Sequence, residues 1–188
     1  EILPSQAAKQ RGRKLPKLLR VGDGPEMFPD LNAALEVVVP GDIIEVLSNR
    51  PMLVRAHVIE GSNQPTTQRL VIRGVQGYRP VLRTSVEAPM LTSRGVELHL
   101  ENLHFVMPSQ VGHVFVFRTD SSILIRNCTL TDVEGAHPQS RFLVEYKPAS
   151  ARPNQVANIQ LENCFLRGDL AAISCGPGPV HVSIKNCL

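Results

Sequence analysis

The sequence predicts an all-β chain folded as a right-handed parallel β-helix, a solenoid of three-strand coils with a short N-terminal capping helix. Three observations predict it. Segments marked by a bend recur at intervals mostly in the twenties, as expected of a solenoid. Apolar residues alternate with period two on both sides of each bend, and the phase changes across it, which describes two strands meeting at a corner. Val, Leu and Ile abound while aromatics are 4% and Trp is absent, a balance suited to thin stacked aliphatic layers. At 188 residues and 43% hydrophobic, the chain is long enough for one core or one array of repeats and too short for two ordinary domains.

Residues 1–18 read as a basic linker or tail, and 19–188 as a single β-helix domain truncated at its C-terminal end. Lys9, Arg11, Arg13, Lys14, Lys17 and Arg20 face only Glu1 among the first twenty residues, so the rest of the chain is slightly acidic although the net charge is +3. Such a tail is ordinarily a solvated linker, and no motif with interleaved aromatics points to nucleic acid. Asp30 is placed to cap a short helix carrying Leu31, Ala34 and Leu35, which would cover the open N-terminal end of the stack. Pro40, Gly41 and Asp42 then form a turn into the first strand. No apolar run reaches the roughly 18 residues of a membrane-spanning helix, and no signal-peptide layout opens the chain. A soluble domain is expected, either cytoplasmic or the extracytoplasmic part of a membrane-anchored bacterial protein.

Next comes Gln68 to Gly77 (QRLVIRGVQG), with Gly74 at the bend, where backbone tolerant of left-handed geometry is wanted. Val96 to Phe105 (VELHLENLHF), Ser121 to Leu130 (SSILIRNCTL), Ala157 to Leu166 (ANIQLENCFL) and Val180 to Leu188 (VHVSIKNCL) repeat the pattern. They align Asn102, Asn127, Asn163 and Asn186 in one column, at steps of 28, 25, 36 and 23 residues counted from Gly74. Stacked coils lie about 4.8 Å apart, so these Asn are expected to form a buried, hydrogen-bonded structural ladder. Leu103, Cys128, Cys164 and Cys187 follow as an inward column of free thiols and aliphatic side chains, because parallel-pointing Cβ vectors suit a disulfide poorly and no metal-ligand spacing occurs. No cofactor or metal is implied. The column before the bend points outward and reads Arg73, Glu101, Arg126, Glu162, Lys185, with alternating sign.

These features resemble the pectate-lyase-like superfamily of right-handed parallel β-helices, with its ladder of Asn between two strands. The span Val21 to Val46 is similar to the usual opening of that fold. Residues Ile44 to Arg83, with Ile72-Arg73-Gly74 and the run Gly77 to Leu82, look like the β-helix modules attached to serine/threonine kinases of planctomycete-type bacteria. That resemblance implies a kinase parent, although nothing in this chain is similar to a kinase phosphate loop or catalytic loop.

The superfamily also implies a rival function, that of a polysaccharide lyase or glycoside hydrolase. A lyase needs clustered acids beside a free base, whereas here the charges alternate. A hydrolase needs two carboxyls, and Asp132 and Asp169 are the pair that adjacent coils bring close; turn formation is their other reading. The six His are scattered without a third ligand partner. The longest step requires loops, Val133 to Arg141 and Lys147 to Gln155, and His137, Arg141, Tyr146, Lys147 and Arg152 on or beside them form a basic and aromatic surface for a glycan or a protein carboxylate. The leading expectation is a non-catalytic scaffold or binding module of a larger protein, with end-to-end self-association where the last coil stops.

Overall fold

A computed structural model describes residues 15–61, 68–84, 89–107, 115–132, 141–148, 156–168 and 170–188. The chain begins with β1 (Leu18–Gly22) and α1 (Leu31–Val37). Five circuits follow: β2 (Ile43–Leu47), β3 (Met52–Val54), β4 (His57–Glu60); β5 (Gln68–Gly74), β6 (Val81–Thr84), β7 (Leu91–Arg94); β8 (Val96–Glu101), β9 (His104–Met107), β10 (Phe115–Thr119); β11 (Ile123–Arg126), β12 (Thr129–Asp132), β13 (Arg141–Tyr146); β14 (Ala157–Glu162), β15 (Phe165–Arg167), β16 (Leu170–Cys175). β17 (Val180–Lys185) comes last.

Each circuit visits the same three sheets in turn, and every pairing is parallel. Sheet A runs β1-β2-β5-β8-β11-β14-β17, sheet B β3-β6-β9-β12-β15 and sheet C β4-β7-β10-β13-β16. The molecule is therefore an all-β parallel solenoid, as the repeat predicts.

Register converts the alternating sequence into columns. Leu19, Ile44, Ile72, Leu100, Ile125, Leu161 and Ile184 lie side by side on sheet A and point inward. Leu82, Phe105 and Leu130 do the same on sheet B, and Leu91, Phe117 and Val144 on sheet C. Phe105 and Phe117 meet across the interior edge to face, 5.0 Å between centroids, a favoured aromatic geometry. Sheet C also carries Ser93, Thr119 and Tyr146 in one buried column. Ser93 Oγ donates to Thr119 Oγ1 at 2.8 Å, and Ser121 N donates to that same oxygen at 3.0 Å. The buried hydroxyls of Ser93 and Thr119 are thus paired, as burial demands.

At the N-terminal end, Asp30 accepts a hydrogen bond from Ala33 N at 2.9 Å, and α1 buries Leu31, Ala34 and Leu35. The helix packs on β1 and β3. Asp42, buried in the turn after Gly41, accepts from Lys17 N and Val39 N at 2.9 and 3.0 Å, tying β1 to the start of β2.

Two expectations about the corners are corrected. Asn102, Asn127, Asn163 and Asn186 are exposed rather than buried. The tight corner turns the Asn side chain outward and sends the following residue inward, where Leu103, Cys128 and Cys164 are buried. Gly74 is not a left-handed bend, for its φ is not positive. A Cβ there would come 2.4 Å from the Asn102 carbonyl oxygen and 2.8 Å from Pro80 Cδ, so close approach of the neighbouring coil selects glycine.

Candidate functional site

The corner between sheets A and B changes character along the molecule. In the C-terminal half it consists of two residues, Asn102-Leu103, Asn127-Cys128, Asn163-Cys164 and Asn186-Cys187, and each Asn has φ between 52 and 56°. Asn is the side chain best suited to that region after glycine. Asn186 Nδ2 donates to Asn163 Oδ1 and Asn163 Nδ2 to Asn127 Oδ1, both at 3.1 Å, while Asn102 Nδ2 donates to the Gly74 carbonyl at 3.3 Å. In the first two circuits the corner lengthens into the loops Ser48 to Pro51 and Val75 to Pro80. Asn49 Oδ1 joins them by accepting from Arg79 N at 2.6 Å.

The second loop delivers Arg79 onto the outer face of sheet B. Its Nη2 donates to Thr129 Oγ1 at 3.0 Å, two strands beyond the β6 edge where Arg79 starts. Outward positions on this sheet form two columns. One contains Val81, His104, Thr129 and Phe165, the other Leu53, Arg83, Val106, Thr131 and Arg167. Arg79, Arg83 and Arg167 are exposed, as is Phe165. His104 Nε2 lies 3.0 Å from Thr131 Oγ1. Partial burial, with the Arg79 guanidinium adding to it, lowers the imidazole pKa below its usual 6.5, so His104 is neutral at pH 7.

No acidic side chain faces outward on sheet B among the described residues. Sheet A is the opposite case. Arg20, Glu45, Arg73, Glu101, Arg126, Glu162 and Lys185 are neighbours in one outward column. Arg73 and Arg126 pair with Glu45 and Glu162 at 2.7 and 2.9 Å, and Arg20 with Glu45 at 3.6 Å. Positive charge on sheet A is thus compensated, and among the described residues that on sheet B is not.

Of the residues predicted to bind, the side chains of Tyr146 and Lys147 are among those described. Tyr146 is 1% exposed, a correction with a simple cause: Val144 and Tyr146 share the inward phase of β13. Lys147 is exposed and its Nζ lies 3.0 Å from Glu145 Oε1, while Arg118 Nε engages Oε2 of the same carboxylate. Arg141 opens β13, but its side chain lies outside the described residues, as do His137 and Arg152. The proposed carboxyl pair fares similarly. Asp132 is 4% exposed, in the inward phase beside Met107, and so is not an outward acid; Asp169 lies outside the described residues. A Cβ on Gly168 would meet Asp132 Cβ at 2.6 Å, so the backbone before Asp169 covers that carboxylate's base.

Cys128 and Cys164 are free and buried; Cys187 is free and only partly buried, because it lies in the terminal layer. Burial pushes the Cys128 thiol up to about 12 and raises that of Cys164. Among the described residues no cluster of His, Cys, Asp and Glu is arranged to hold a metal ion, and no helix is long and apolar enough to cross a membrane.

The sheet B face had a signal in the sequence. The outward positions after each corner, His104 and Val106, Thr129 and Thr131, Phe165 and Arg167, contain no acid, whereas the column before each corner alternates in sign. Searches with this chain find no matching protein-family model and no matching curated protein.

Proposed function

We propose that the chain is a rigid, non-catalytic β-helix module of a larger protein, and that the outer face of sheet B binds an acidic glycan. One observation carries the reading: this face presents Arg79, Arg83 and Arg167 with hydroxyls and an exposed aromatic ring and, among the described residues, without an outward carboxylate. Guanidinium groups pair bidentately with carboxylates and sulfates. An aromatic ring beside them offers an apolar surface to a sugar ring. A stiff parallel scaffold keeps these groups in line at about 4.8 Å per coil, so little order is lost on binding a linear polymer. The same proposal takes the winding as right-handed, the coil as three-stranded, α1 as the end cap and the chain as a member of the pectate-lyase-like superfamily with a bacterial kinase parent.

Titration calorimetry with polygalacturonate and with a neutral dextran tests it. The charged polymer is expected to bind and the neutral one to bind weakly or not at all, with affinity falling as salt rises. Reversing both Arg83 and Arg167 to Glu should reduce affinity at least tenfold. Equal binding of both polymers, or an unaffected double variant, would refute the face as the site. Appearance of an unsaturated sugar product would instead identify a lyase.

A further inference from the structure

A separate cleft of about 320 Å³ lies at the N-terminal end, where the long corners replace the Asn turns. Its walls are Asp23, Met27, Leu47, Asn49, Arg50 and Tyr78. We infer that this cleft binds a single carboxylated sugar unit, as the end subsite of the acidic glycan that lies on sheet B.

Size comes first: the volume is at the lower end of small-ligand pockets, enough for one ring and its substituents. Chemistry narrows the class. Met27 and Leu47 supply apolar surface, and Tyr78, 41% exposed, offers a ring face of the kind that packs against the C–H face of a sugar. Arg50 and Asp23 pair at 3.4 Å with side chains 79% and 72% exposed. A pair so open to water is worth little, about 0 to 1 kcal/mol, so a ligand can replace it. A carboxylate would take the Arg50 guanidinium in bidentate fashion, and Asp23 would then accept from sugar hydroxyls. The walls are held in place beforehand. Arg50 N donates to Ser48 Oγ at 3.1 Å, and Asn49 Oδ1 is occupied by Arg79 N, which leaves its Nδ2 free to donate to a ligand oxygen.

Continuity with sheet B separates an acidic sugar from a free amino acid, whose charges would also match Arg50 and Asp23. The loop carrying Tyr78 into the cleft carries Arg79 out over His104 to Thr129. One ligand can therefore leave the cleft and continue along the cationic face. This inference rests on the reading of sheet B as a glycan-binding face for the choice of a sugar over an amino acid and for the direction in which the chain leaves; occupancy of the cleft is tested by itself.

The probes are galacturonate, galactose and leucine, titrated against the whole chain by ligand-observed NMR. Galacturonate should bind at least tenfold more tightly than galactose or leucine. Arg50→Gln should remove that tenfold preference over galactose. Tyr78→Ala should weaken both sugars and Tyr78→Phe should restore them, a rescue that a loop merely misfolded by substitution would not give. Reversal of Arg83 and Arg167 should leave galacturonate binding intact while reducing affinity for the polymer at least tenfold. Leucine binding better than galacturonate, no galacturonate binding, or indifference of galacturonate to both Arg50→Gln and Tyr78→Ala would each overturn the inference. In the unsubstituted protein, galacturonate binding with no binding of the polymer would overturn the sheet B reading and leave the cleft standing.

Discussion

Asn163 performs two tasks with one side chain. It holds a backbone with φ of 53° and links Asn127 to Asn186 through hydrogen bonds on both sides. A residue without either aptitude loses both: left-handed backbone costs a non-glycine residue about 1 to 2 kcal/mol, and an exposed hydrogen bond contributes about 0.5 to 1.5 kcal/mol. Asn163→Leu should therefore destabilise the protein by about 1 to 3 kcal/mol in urea denaturation, and Asn163→Gly by less, because glycine relieves the backbone term. Equal losses would mean that the ladder, not the backbone, dominates the corner. His104 supports a pH prediction. Its folded pKa is lowered from 6.5, so between the folded and unfolded values the unfolded chain binds more protons. The corresponding stability is present above pH 6.5 and is lost as pH falls through the folded value; His57, also lowered by burial, adds to the same slope. The melting temperature should drop on acidification through this window, and His104→Gln should flatten part of that drop. The buried thiols give a third residue-scale outcome. With Cys128 raised to about 12 and Cys164 enclosed, a thiol reagent should label the exposed Cys175 in the native protein and reach Cys128 and Cys164 only after denaturation.

Between neighbouring strands of sheet A, stacking brings each residue of the charged column against its counterpart from the adjacent coil. Each exposed pair contributes about 0.2 to 1 kcal/mol, too little to hold the solenoid together. Its larger consequence is for register: the column from Arg20 to Lys185 alternates without a break, so a shift by one coil would oppose like charges. Glu101→Lys would place a third cation between Arg73 and Arg126. The expected cost is about 1 kcal/mol or more at low ionic strength, shrinking in about 1 M salt, where the Debye length is about 3 Å. Denaturation at the two salt concentrations checks it; a salt-independent loss would locate the damage in packing instead. Among the described residues the strands of sheet B have no such compensation, and that contrast between elements of one coil motivates the binding proposal.

At the scale of the molecule, the two ends of the stack differ. α1 packs on β1 and β3 with Leu31, Ala34 and Leu35 buried. In the last layer Val182 and Ile184 keep the inward phase of their column yet are 41% and 53% exposed, whereas Ile159 and Leu161 one coil earlier are fully buried. Exposed apolar side chains beside an unpaired strand edge attract a further strand. The 188-residue chain is accordingly expected to associate through this layer, with a sedimentation coefficient that rises with concentration, and Ile184→Lys should abolish the rise. A chain monomeric at every concentration would show that β17 tolerates water.

What the sequence by itself determined is whatever repeats within a coil. Period-two alternation sets the strands of sheets A and B, and Asn, tolerant of positive φ, marks each tight corner; the segments around Asn102, Asn127, Asn163 and Asn186 are therefore where expected. The inward phase of Val144 and Tyr146 is equally legible in the alternation of β13, although the loop-like neighbours of Tyr146 in the chain point the other way. Register between coils was decided by the tertiary structure. Steps of 28, 25, 36 and 23 residues do not reveal which outward residues become neighbours, since extra residues can leave at any corner. Arg79 touches Thr129 across 50 residues, and Asp23, Arg50 and Tyr78 line one cleft from three separate segments. Backbone pairing over long separations fixes those meetings, and local pattern carries no record of it.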